Sequence, residues 1–206
     1  SWVLTAALAF TGAAGVSAAL LAPSVAEAQQ KIGPKVGVPL KAAQEAVQKK
    51  NWNGALARIK EAQAIQPRTA FFEDYMINEL LWYVYLQQGR NADAARLLEQ
   101  QIASGQMPAG ERAQRTKTVA QLYFRAGNYP KAGQAANQYL KSAPNDQEAQ
   151  MLVAQSYFQQ KDYKAAVAAA NRLIKPGQKP SEDLLQLLLR SNYELKDAAG
   201  TSAALE

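Results

Sequence analysis

The chain contains no cysteine and no histidine. Their absence removes thiol nucleophiles, disulfides, Cys/His zinc sites and imidazole acid–base chemistry together. It also excludes a lipid-modified N-terminal cysteine. Runs of β-branched residues are scarce. The one strand-like stretch is Lys35-Val36-Gly37-Val38, and Pro39 ends it. Concentrated charge is missing too. The formal charge is +6, yet the longest basic run is Lys49-Lys50. Bases are mixed with acids, as in Arg58-Ile59-Lys60-Glu61. That is the pattern of solvated helix faces, and it speaks against nucleic acid as a partner. There is no P-loop, no Gly-rich dinucleotide loop and no nucleophile elbow. Lys161-Asp162-Tyr163, Glu73-Asp74 and Glu182-Asp183 hold reactive groups. Helix caps and solvated faces account for all three. The expectation is a protein that is not an enzyme, with no catalytic residue, no metal and no cofactor.

What is present is rich in Ala and Gln, both good helix formers. From Trp2 to Ala22 there is no charged residue. The stretch ends in Pro23-Ser24-Val25 and then Ala26-Glu27-Ala28. Small residues at the first and third positions before a cut suit signal peptidase. Residues 1–28 therefore read as a signal peptide cut after Ala28, with Gln29 as the new N-terminus. The alternative is a retained anchor, because about 20 apolar residues span a bilayer. Either way the chain is expected to be exported, periplasmic or membrane-anchored facing the periplasm. Residues 1–28 hold one acid, Glu27, and no base, so the remainder carries +7. The start at Ser1 implies that the natural N-terminus lies further upstream. Residues 29–38 read as a linker, and 39–206 as a helical repeat array.

The array shows itself by self-similarity. Residues 113–146 and 147–180 align without a gap at a spacing of 34. Val119, Ala120, Tyr123 and Phe124 recur as Val153, Ala154, Tyr157 and Phe158. Tyr129, Ala132 and Ala136 recur as Tyr163, Ala166 and Ala170. The first group spaces its apolar residues as one helical stripe. The second opens another helix, with Asn128 or Asp162 as N-cap and Pro130 in the first turn. Ala120 and Ala132, and likewise Ala154 and Ala166, would lie where the two helices of a unit approach most closely. Tyr129 or Tyr163 would fill the wedge beside that contact. An earlier unit fits around Ala43, Trp52, Ala55 and Ala62, and another around Trp82, Gly89, Ala94 and Leu98. Trp52 holds the turn position of Tyr129, whereas the second unit has Asn91 there. The spacings Trp52 to Asn91 to Tyr129 exceed 34, and the extra residues fall in 65–71 and 103–110. A fifth unit starts at Ser181, an N-cap before Glu182 and Asp183. Its second helix has only begun at Glu206, so this last unit is expected to be incomplete. Leu185, Leu188 and Leu189 should then lack a cover.

This pattern resembles the tetratricopeptide repeat (TPR) family, whose unit has the same 34-residue length. In its overall pattern the chain is similar to exported bacterial TPR proteins of largely unassigned role. The resemblance implies an all-α fold, a right-handed α-solenoid of antiparallel helix pairs. It also implies a non-catalytic scaffold of the bacterial cell envelope that binds another protein or peptide. In the family the first helix of each unit lines the concave groove. Carried over position by position, the groove residues here are Tyr83, Leu86 and Gln87, then Lys117, Gln121, Phe124 and Arg125. They continue with Met151, Gln155, Phe158 and Gln159, then Gln186, Arg190 and Tyr193. Amides suit an extended peptide backbone, and Lys117, Arg125 and Arg190 suit carboxylates. The family's two-carboxylate clamp is not reproduced. The aromatics and amides would also suit an envelope polymer such as peptidoglycan or an exported polysaccharide, and +7 suits an anionic one.

Overall fold

The computed structural model describes residues 32–67, 71–105, 107, 109–174, 177 and 179–203. The signal peptide assigned to 1–28 lies outside these residues. Among the described residues every regular element is an α-helix. They form five successive pairs. The first is α1 (Pro34–Gln48) with α2 (Trp52–Ala64), and the second α3 (Phe71–Gln87) with α4 (Asn91–Ala103). Then come α5 (Ala109–Arg125) with α6 (Tyr129–Leu140), and α7 (Gln147–Gln159) with α8 (Tyr163–Asn171). The last is α9 (Glu182–Glu194) with α10 (Ala198–Ala203).

One turn design joins the helices of every pair. Lys50, Gly89, Gly127, Lys161 and Lys196 all take positive φ, between 54° and 75°. The next residue sends its N–H back to a carbonyl five positions earlier. The pairs are Asn51 to Ala46, Arg90 to Tyr85, Asn128 to Tyr123, Asp162 to Tyr157 and Asp197 to Asn192. This is the Schellman ending of a helix. The same residue then starts the second helix. Asn51, Asn128, Asp162 and Asp197 each accept an N–H from three residues on, at 2.9, 3.3, 3.0 and 3.0 Å. Arg90 has no acceptor to offer. Its guanidinium bonds Asp93 instead and lies 4.1 Å from the Tyr85 ring centre.

Three of the five left-handed positions carry Lys, although a Cβ is disfavoured there. Space is not the constraint, since a Cβ at Gly127 would meet nothing within 4 Å. Gly127→Ala should therefore cost about 1 kcal/mol through backbone conformation alone. Lys161→Gly should stabilise by up to about 1 kcal/mol, less what glycine gives back to the unfolded chain. Denaturant unfolding of the two variants checks both signs.

The chain divides into two compact units, residues 1–77 and 78–206, and the division falls within α3. In the first, α1 and α2 pack together. Val36, Leu40, Ala43 and Val47 face inward from α1, and Ala55, Ile59 and Ala62 from α2. The helix start at Pro34 corrects the linker boundary and the strand-like reading of 35–38. Val36, Leu40, Ala43 and Val47 recur at helical spacing, and their burial outweighs Gly37 and Pro39. Pro39 removes one helical N–H, so the Lys35 carbonyl loses its usual partner. Glu73 is also corrected. It is buried, not solvated, and accepts the Gly33 N–H at 2.8 Å. Its carboxylate thus serves the N-terminus of α1, where no side chain of that helix caps.

In the second unit the second helix of one pair packs on the first helix of the next: α4 on α5, α6 on α7, α8 on α9. The first helices α5, α7 and α9 also meet in turn. Ala94, Leu98, Val119, Ala120, Tyr123, Ala132, Ala136 and Val153 belong to one buried cluster. Ala154, Ala170, Leu184, Leu187 and Leu188 form another. Ala120, Ala132, Ala154 and Ala166 are all buried, as their repeat positions require. A Cβ on Gly133 would already meet the Ser156 Cβ at 3.4 Å, so α6 and α7 run close there. Leu188 does not lack cover. It is buried, while Leu185 and Leu189 are half-buried. Leu188 clusters with Ala154 of α7 and Ala170 of α8, and α10 also packs on α9.

Candidate functional site

Helical period and repeat length together place Lys117 and Gln121 on α5 in line with Met151 and Gln155 on α7. Each pair is four residues apart along its helix and 34 residues from its counterpart. These four side chains come together in an open cleft of about 550 Å³. Met151, Leu152, Leu173 and Leu184 give it an apolar floor. Gln121, Gln147 and Gln155 supply amides, and Lys179, Ser181 and Asp183 form the rim beside α9.

Lys117 is not a free cation. Its Nζ lies 2.9 Å from Asp146 Oδ2 and 2.7 Å from Glu148 Oε2. Asp146 in turn caps α7 through the Ala149 N–H at 3.0 Å and accepts the Tyr139 hydroxyl at 2.9 Å. The group therefore ties α5, α6 and α7 together. Burial opposes both charges, but the hydrogen bonds prevail. Lys117 is held above its ordinary value by Glu148 and Asp146. Asp146 is held below its own by Lys117, the Ala149 N–H and Tyr139. Gln121 is engaged as well, donating from Nε2 to Glu148 Oε1 at 2.8 Å. Lys117, assigned as a receptor for a partner's carboxylate, thus already holds two carboxylates of its own chain. Its acceptors come from its own chain, and nothing local to 117 announces them.

The other assigned groove residues do not line this cleft. Phe124 is half-buried with its ring edge-on to Tyr129, centres 5.3 Å apart. Phe158 repeats the arrangement with Tyr163 at 5.4 Å. Both act as packing within their own pair. Tyr193 holds the same position in the fifth pair and is 74% exposed. Tyr83 is half-buried beside Trp82 on α3, and burial raises its hydroxyl above the ordinary value. Arg125 and Arg190 are exposed on α5 and α9. Trp52 opens α2, half-buried.

Two further links were not legible. Arg115 on α5 bonds Glu79 on α3 at 2.7 Å and lies over the Trp82 ring. Tyr123 donates to Glu99 of α4 while Lys131 of α6 bonds both. Such pairs lie tens of residues apart, so only the fold brings them together. Among the described residues no group of Asp, Glu, His or Cys could hold a metal. Among them, too, no helix is long and apolar enough to cross a membrane.

Residues 119–183 match the family model for the tetratricopeptide repeat. This stretch carries tetratricopeptide repeats. Solved structures agree in fold. A TPR protein from Parabacteroides merdae superposes with a TM-score of 0.58 at 17% identity, over 84% of this chain. This chain spans 64% of that protein's length. MamA from Desulfovibrio magneticus gives 0.56 at 14% identity, over 85% of this chain and 93% of its own. No curated protein matches the sequence. TPR proteins are generally non-catalytic scaffolds, and TPR domains typically bind other proteins or peptides.

Proposed function

We propose that this TPR chain is an adaptor of the bacterial cell envelope that holds an extended segment of a partner protein in the α5–α7–α9 cleft. The observation that carries this reading is the register of the cleft. Gln121 and Gln155 occupy equivalent positions on successive helices, above an apolar floor that includes Met151 and Leu152. Amides in such a row can pair with a peptide backbone, and the floor takes alternate side chains. An envelope polymer is less well supported. Two of the aromatics it would stack on, Phe124 and Phe158, are committed to Tyr129 and Tyr163.

Export rests on the uncharged run from Trp2 to Ala22 and on Ala26-Glu27-Ala28. Both parts of the proposal can be tested in one cell. A photoreactive residue at Gln155 should give a discrete adduct with an envelope protein, and one at exposed Lys164 on α8 should not. Mass spectrometry of the adduct should show Gln29 as the N-terminus of this chain. Equal adducts at both positions count against the cleft. An intact segment before Ala28 in a membrane fraction favours the anchor.

A further inference from the structure

We propose that Glu148 is a displaceable internal stand-in for a side-chain carboxylate of the partner. The inference rests on the reading of the cleft as a peptide groove. Lys117 holds two carboxylates of unlike status. Asp146 is 19% exposed and has the α7 backbone and Tyr139 as further partners. Removing it would break the α5–α6–α7 junction. Glu148 is 67% exposed. It meets Lys117 Nζ at 2.7 Å and Gln121 Nε2 at 2.8 Å. Those two donors are one helical turn apart on α5, and both line the cleft with Glu148 itself.

A carboxylate therefore already bridges the cation and the amide that face the cleft. It reaches them on a flexible side chain, as an acidic residue of a bound peptide would. An ion pair this exposed is weak in water. A peptide whose other groups occupy the floor can supply its own carboxylate and release Glu148 to solvent. Lys117 keeps a full set of acceptors throughout, so no buried charge is stranded during the exchange. Glu148 then acts as a threshold. It weakens the binding of acidic segments through competition and through repulsion after release, and it weighs less on neutral segments, which compete only for Gln121.

The probe is an acetylated and amidated peptide, Ala-Glu-Leu-Glu-Ala, compared with its Gln-for-Glu counterpart and with that counterpart bearing a free C-terminus. Binding is followed by NMR on the side-chain amides of Gln121 and Gln155 in the full chain. Glu148→Ala should bind the Glu peptide roughly two- to fivefold tighter than the unaltered chain. The amidated Gln peptide should gain less, and adding Gln121→Ala should reduce the gain. Circular dichroism checks that α7 is retained, and Glu148→Gln serves as a second, volume-conserving variant. An equal gain for both amidated peptides, or none, overturns the inference. A gain confined to the free C-terminus overturns the choice of a side-chain carboxylate. In those cases the cleft reading still stands if Gln155 shifts. If no peptide shifts Gln155, the cleft reading itself falls.

Discussion

Asp146→Ala should lower stability by about 2–4 kcal/mol, the sum of a lost N-cap and a mostly buried lysine left with one partner. Asp146 caps α7 at the Ala149 N–H, pairs with Lys117 and accepts from Tyr139. Both ends of the ion pair are shielded, with Lys117 14% and Asp146 19% exposed. Glu148 remains on Lys117, which keeps the loss below that of a fully stranded charge. Asp146→Asn separates the two roles, because Asn can still cap. Its deficit should depend on pH. The folded-state value of Asp146 is depressed, so its charge stabilises the fold above the ordinary carboxylate range. That contribution is lost as pH falls through the depressed value. The gap between the unaltered chain and Asp146→Asn should therefore be full near neutrality and close in acid. Lys117, being raised, stays charged across this window. Denaturant unfolding at a series of pH values reads the result, and a gap independent of pH would deny the ion pair its part.

Ala120→Trp should destabilise by about 1–3 kcal/mol through overpacking. Ala120 is buried in the cluster shared by α4, α5 and α6, together with Leu98, Tyr123 and Ala132. A large ring there has to push helices apart. The same change at exposed Lys164 should be close to neutral. Thermal unfolding of the two variants provides the comparison. Equal stability of both would place Ala120 outside the helix contact and shift the phase of the repeat.

The repeat was legible because its signals are local. Asn128 and Asp162 read as caps from their neighbours alone, and the Val119/Tyr123 stripe from its period. The same locality explains the failures. Lys50, Lys161 and Lys196 at positive φ carry no turn signature, so only the equivalence of Lys161 with Gly127 hinted at the backbone there. Gly37 and Pro39 argued against a helix that the burial of Val36 and Leu40 nevertheless secures. Phe124 looked like a groove residue because its position repeats. It repeats because Tyr129 follows it in the turn, as Tyr163 follows Phe158. Lys117 looked free because Asp146 and Glu148 are remote in sequence. Four residues of the cleft, Lys117, Gln121, Met151 and Gln155, followed from the repeat. The rim at Lys179, Ser181 and Asp183 did not, because it lies where the connection between two pairs enters α9, outside the repeated positions.

If a partner segment lies in the cleft of α5, α7 and α9, its affinity should depend on the cleft floor. The direct measurement is isothermal titration of the partner captured at Gln155 into the unaltered chain, Met151→Glu and Lys164→Glu. Met151 is on the cleft floor, and a carboxylate there faces whatever apolar group the partner inserts. Met151→Glu should weaken binding at least about tenfold, or about 1.4 kcal/mol. Lys164→Glu, on the exposed face of α8, should leave the affinity unchanged. Equal weakening by both, or none by Met151→Glu with its helicity intact, would contradict the account.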